Sequence, residues 1–160
     1  MSSMSELTSL TAITAAVALA LIADAADYPV MVHLAMMLAA AVFGFAIVNY
    51  PLGLVFLGDA GAYTLGFVLS WFAISVMNHA PTASAWAMLL VVFWPVFDTL
   101  LAIWRRRRKR TATMAPDRLH VHQLVMRALE IHLLGRKRRH IANPVTTLIL
   151  APAIMAPPAV

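Results

Sequence analysis

Residues 60–77 read Ala60-Gly61-Ala62-Tyr63-Thr64-Leu65-Gly66-Phe67-Val68-Leu69-Ser70-Trp71-Phe72-Ala73-Ile74-Ser75-Val76-Met77, eighteen positions without a charged side chain. About 20 apolar residues cross the hydrocarbon core of a bilayer, so this stretch reads as a membrane span. Segments of the same character occupy residues 7–23, 29–50, 83–104 and 141–160. The first of these is threonine-rich, and the last is interrupted by Pro144, Pro152, Pro157 and Pro158. Only 12% of the residues are charged, against about 25% in soluble domains. The expectation is an all-α, polytopic transmembrane helical bundle of about five transmembrane helices plus a short cytoplasmic amphipathic helix. It would form one membrane domain over residues 1–160. The chain has no cysteine, which excludes disulfides and thiolate metal sites. Any metal must be held by Asp, Glu, His or Asn.

The net charge is +5, and all twelve Lys and Arg residues fall within residues 105–139. A basic loop between apolar segments marks the cytoplasmic side of a membrane protein, and this clustering argues against a nucleic-acid-binding surface. The run Arg105-Arg106-Arg107-Arg108-Lys109-Arg110 reads either as a topology signal that anchors lipid headgroups or as an attractor of anionic substrate. With residues 105–140 as a cytoplasmic loop, the connection from Asn49 to Gly58 opens on the same side, and Asp24 and Asp27 lie opposite. Inside the loop, Val121, Leu124, Val125, Ala128 and Leu129 recur at helical spacing. They predict a short amphipathic helix over residues 117–134, with Pro116 in its first turn and Gly135 as its stop.

Four polar features converge on this face: Asn49, Asp59, Asp98 and the stretch Asp117-Arg118-Leu119-His120-Val121-His122. Asp59 lies in Val55-Phe56-Leu57-Gly58-Asp59-Ala60-Gly61. A carboxylate near hydrocarbon costs roughly 2.5–3.5 kcal/mol even on lenient scales, and such a residue points to function. It is also the hard oxygen ligand that Mg²⁺ takes, one or two at a time, alongside substrate phosphates. His120 and His122 lack the i, i+4 spacing of a helical zinc pair. They read either as donors to a pyrophosphate or acid–base groups, or as interfacial histidines without a task. Asp98 reads as a partner for a basic residue such as Arg105. Pro95 is expected to kink the fourth helix, and the Gly61 and Gly66 spacing reads as close helix packing.

These residues carry a resemblance. Asn49-Tyr50-Pro51, Val55-Phe56-Leu57-Gly58-Asp59-Ala60-Gly61, Pro95-Val96-Phe97-Asp98-Thr99, Arg105-Arg106 and Pro116-Asp117-Arg118-Leu119-His120-Val121-His122-Gln123-Leu124 occur in an order and spacing similar to the polyprenyl-phosphate N-acetylhexosamine-1-phosphate transferases. These are the undecaprenyl-phosphate GlcNAc-1-phosphate transferase type of glycosyltransferase family 4, and the likeness covers about residues 49–127. The resemblance implies transfer of a sugar 1-phosphate from a UDP-sugar to undecaprenyl phosphate, with release of UMP, in cell-wall or surface polysaccharide synthesis. It further implies a multi-pass protein of a bacterial inner membrane with its active face cytoplasmic, using Mg²⁺ or Mn²⁺. Asp59 matches the family's active-site aspartate and metal ligand. His120 and His122 match its histidine motif, which makes these three the catalytic candidates. Asn49, Phe56, Asp117 and Arg118 are then the substrate-binding candidates, with Asp98, Arg105 and Arg106 in structural or electrostatic roles. Partners would be the UDP-sugar, undecaprenyl phosphate and membrane lipid, with no nucleic acid, and a homodimer is compatible with the sequence.

The chain departs from the family pattern in two ways. Gln123 stands where the motif commonly has a further histidine. The aspartate pair and the Asn/Asp-Gly motif of the family's earlier cytoplasmic loops do not occur. The chain is therefore expected to be equivalent to the C-terminal half of a larger transferase, and Mg²⁺ is expected to bind weakly unless another chain contributes ligands. Two other classes fit the same residues less fully. One is a non-catalytic membrane remnant or partner subunit whose basic loop binds lipid. The other is a transporter with Asp59 and Asp98 on an ion path.

Overall fold

The computed structural model describes residues 2–49, 55, 57–80, 84–108, 121–131 and 139–156. All regular structure among them is helical: α1 (Ser2–Ala25), α2 (Pro29–Asn49), α3 (Gly58–His79), α4 (Ala85–Val91), α5 (Phe93–Arg108), α6 (Val121–Leu129) and α7 (Arg139–Met155).

Three helices are long and apolar enough to span a membrane: Leu7–Ala25 within α1, then α2 and α3. The α1–α2 turn is closed by Asp27 in the left-handed region, φ 52°. The Tyr28 N–H donates to Ala23 O and the Asp27 N–H to Asp24 O, the paired bonds that end a helix when its next residue turns left-handed. Tyr28 then stacks on His79 at 4.1 Å, tying the start of α2 to the end of α3. The three helices therefore alternate in direction. The start of α1, the end of α2 and the start of α3 share one face of the membrane.

Small residues decide how closely these helices pack. Ala12, Ala15, Ala16, Leu19 and Ala23 of α1 are buried against Met31, Ala35, Ala39 and Val42 of α2 and against Leu69, Phe72 and Val76 of α3. Alanine at such contacts lets backbones approach, and van der Waals packing then holds helices together where lipid offers no hydrophobic contrast. Large apolar side chains on the outer faces, among them Met37, Phe43, Phe67 and Trp71, stay exposed. That surface suits a hydrocarbon solvent.

The second half departs from the expected five spans. The segment expected at residues 83–104 is broken into α4 and α5, which meet at 77°, so the described residues hold three spans, or four if this bent pair counts as one. The break falls at Val92 rather than at Pro95 itself. A proline ring collides with the carbonyl four residues back and lacks the N–H that would bond it. Here that carbonyl belongs to Val91, the last residue of α4, and Pro95 is left in the first turn of α5. Among the described residues of the segment expected at 141–160, α7 carries an apolar stretch, Val145–Met155, that is shorter than a span. It packs instead on the start of α1 through Leu7, Leu150 and Ile154, with Trp94, Val121 and Val125 alongside.

The amphipathic helix appears as α6, shifted from the expected stripe. Its buried residues are His122 and Met126. Leu124 and Ala128, expected on the apolar face, are exposed.

Candidate active site

Asp59 is the second residue of α3 and is exposed. A carboxylate in the first turn is favoured by the helix dipole, so its place carries a local reason as well as a functional one. Gly58 before it sits at φ +66°, a conformation costing most L-residues roughly 1–2 kcal/mol. Gly61, one turn on, is required for a different reason: a Cβ there would lie 2.8 Å from Leu57 Cγ and Cδ1. The two glycines shape the entry to α3 around Asp59. The reading of Gly61 and Gly66 as a close helix contact is not met, since a Cβ at Gly66 would meet nothing within 4 Å.

Asn49 closes α2 on the same membrane face, only 1% exposed. Neither its Oδ1 nor its Nδ2 finds a partner among the described residues. A buried polar group left unpaired costs about 1–3 kcal/mol, and that cost would be relieved by any ligand presenting a donor and an acceptor.

Gly66 faces a crevice of about 200 Å³ between the helices. Leu7 and Thr11 of α1, Leu65 and Leu69 of α3, Trp94 and Pro95 of α5, and His122 of α6 line it. The threonine adds little polarity, because its hydroxyl donates to Leu7 O at 2.8 Å. Ala62 also lines the crevice, three residues after Asp59, a rise of roughly 4.5 Å along α3. The apolar crevice thus reaches within a helical turn of the exposed carboxylate, and it carries a buried imidazole. Trp94 and Thr11 are contributions that sequence reasoning did not single out.

His122 is the second residue of α6 and is 4% exposed. The Val121 N–H just before it donates to Asp98 Oδ1 at 3.1 Å. Arg105 is half-buried, and Arg107 and Arg108 are exposed. The Arg108 guanidinium lies 5.5 Å over the Trp104 ring. His120, Asp117, Arg118 and Phe56 lie outside the described residues, as does the side chain of Arg106.

Among the described residues no three His, Cys, Asp or Glu side chains come together as a metal site. Asp59 can offer Mg²⁺ one oxygen ligand from this set, which is a partial fit: the remaining positions would fall to substrate phosphate and water.

Residues 4–77 match the sequence model of glycosyl transferase family 4. The family resemblance read from the motifs is borne out in this segment, which includes Asn49 and Asp59 and reaches back through α1 and α2, where no motif pointed. Relatives that carry the name undecaprenyl-phosphate alpha-N-acetylglucosaminyl 1-phosphate transferase include proteins of three bacteria. The Pasteurella multocida protein is 37% identical over 75 residues, 46% of this chain and 21% of that protein. The Haemophilus influenzae protein is 33% identical over 104 residues, 61% of this chain and 29% of its own length. The Escherichia coli K12 protein is 33% identical over 79 residues, 46% and 20% respectively. The chain thus spans between a fifth and three tenths of the length of these relatives. No solved structure matches it.

Proposed function

We propose that this chain contributes the lipid-carrier side of a phospho-sugar transferase site. The reaction would pass GlcNAc 1-phosphate from a UDP-sugar to undecaprenyl phosphate on the cytoplasmic face of a bacterial inner membrane. The observation that carries the reading is the crevice: an apolar slot between two spans and the helices α5 and α6, holding a buried imidazole and reaching to within a turn of Asp59. A polyprenyl chain needs a slot open to lipid, and its phosphate needs polar groups at the membrane surface.

In this reading an oxygen of the lipid phosphate attacks the sugar-bearing phosphorus of the donor. The bond to the UMP oxygen breaks, UMP leaves, and a lipid diphosphate sugar remains. Catalysis of such a step is positioning and charge neutralisation more than covalent chemistry. Asp59 would hold one oxygen site of a divalent cation, Mg²⁺ or Mn²⁺, which when bound offsets phosphate charge. His122 would donate to, or hold a proton beside, a diphosphate oxygen. Asn49 would pair its free amide with the donor, and the arginines of α5 would draw both anions toward the face.

The test is metal-dependent exchange of labelled UMP into UDP-GlcNAc by membranes containing the chain. Exchange that falls at least about 100-fold in Asp59→Asn, in the range of lost electrostatic stabilisation, supports the reading. Exchange indifferent to Asp59 ends it. A second reading, a membrane partner that binds anionic lipid, is favoured by exposed Arg107 and Arg108, the latter over the Trp104 ring. It expects lipid binding to survive Asp59→Asn.

A further inference from the structure

Asp98 sits one turn beyond Pro95, on the part of α5 that follows the break, and is half-buried. Its Oδ1 takes the Val121 N–H at 3.1 Å across 23 positions of sequence. Val121 opens α6, so this N–H is one of the four that a helix cannot satisfy from within. The residue just before a helix normally provides the acceptor. Asp98, on another helix, accepts the Val121 N–H, and a carboxylate is also the group that the positive end of the helix dipole favours. The residue that follows is His122, buried beside the crevice.

We propose that Asp98 is the positioning residue for the histidine. It clamps the start of α6 to α5 through the Val121 N–H and so sets where His122 stands in the crevice. The break at Val92 gains a purpose from this, because it redirects the helix that carries Asp98. The clamp needs an accepting oxygen on residue 98, and that makes a distinctive demand. The substitution Asp98→Asn keeps an Oδ1 acceptor, whereas Asp98→Ala removes it. Val121→Pro removes the donor while leaving a residue that suits the first helical position.

The experiment uses the full chain in lipid nanodiscs, without substrate. It reads the modification rate of His122 by diethyl pyrocarbonate, together with amide exchange over residues 121–129. Asp98→Ala should raise both roughly 2- to 30-fold, the range expected when a helix loses its N-cap and opens locally. Val121→Pro should raise His122 modification by the same factor, the double variant should add nothing further, and Asp98→Asn should stay within about two-fold of the unsubstituted chain. The proposal is overturned if Asp98→Asn behaves like Asp98→Ala, or if Val121→Pro leaves His122 protected. Should Asp98→Ala fail to insert, Val121→Pro with Asp98 intact carries the same test. The proposal rests on the transferase reading only for what the histidine is for. A protected His122 in a chain that never exchanges UMP would overturn that reading and leave the clamp standing.

Discussion

The two halves of the molecule use apolar sequence in opposite ways. In α1–α3 it builds three full spans whose alanines interlock, and the segment matching glycosyl transferase family 4 coincides with them. In α4–α7 it forms shorter pieces: α4 adds Met88 and Val91 to the α1–α3 core, while residues of α5, α6 and α7 pack on the start of α1. The crevice lies where the two halves meet, with one wall from α1 and α3 and the other from α5 and α6. Regular spans supply a rigid wall, and irregular helices bring polar groups to it. Broken helices at membrane depth are tolerated where they are buried in protein or line a cavity, and α4–α5 is such a case.

The largest change should come from mending the break. Pro95→Ala restores the N–H to Val91 O and removes a clash worth roughly 3 kcal/mol in a helix interior. The 77° bend should relax toward a continuous helix, read as a longer spin-label distance between positions 86 and 104. An unchanged distance would show that packing against α1, not the proline, sets the bend. On the other side of the comparison, Ala16→Leu adds bulk at a position with no exposure, between α1 and its neighbours. It should destabilise the α1–α3 unit by about 1–3 kcal/mol, measured by reversible unfolding in mixed micelles.

What was legible in the sequence follows the same division. Residues 29–50 and 60–77 could be read as spans because length and hydropathy decide them, and the structure ends α2 at Asn49 and extends α3 by two residues at each end. The break could not be placed, because the sequence shows Pro95 but not that the clash falls on the carbonyl four residues earlier. The buried face of α6 was misread for a similar reason. His122 and Met126 turn inward on a helix whose Val121 N–H donates to Asp98 Oδ1, a contact between residues far apart in sequence. Asp59 and Asn49 stood out as polar residues in apolar surroundings, and the structure sets one in the first turn of α3 and the other at the end of α2. The crevice had no sequence signature, since Gly66 and Thr11 mean nothing until α5 is folded against them.

Two smaller effects separate the glycines of α3. Gly58→Ala should cost about 1 kcal/mol, because φ +66° disfavours a Cβ, and should lower the unfolding midpoint. Gly66→Ala should change stability by less than about 0.5 kcal/mol, since its Cβ would enter open space. A large loss there would show that the crevice closes in the membrane.

Photo-crosslinking of a diazirine-bearing polyprenyl phosphate to the chain in nanodiscs tests the central claim most directly. The account predicts adducts on Leu65, Gly66 and Trp94 of the crevice that a polyprenyl phosphate without the probe displaces. Labelling confined to the lipid-facing side chains Phe67 and Trp71, or labelling that competitor does not reduce, would contradict it.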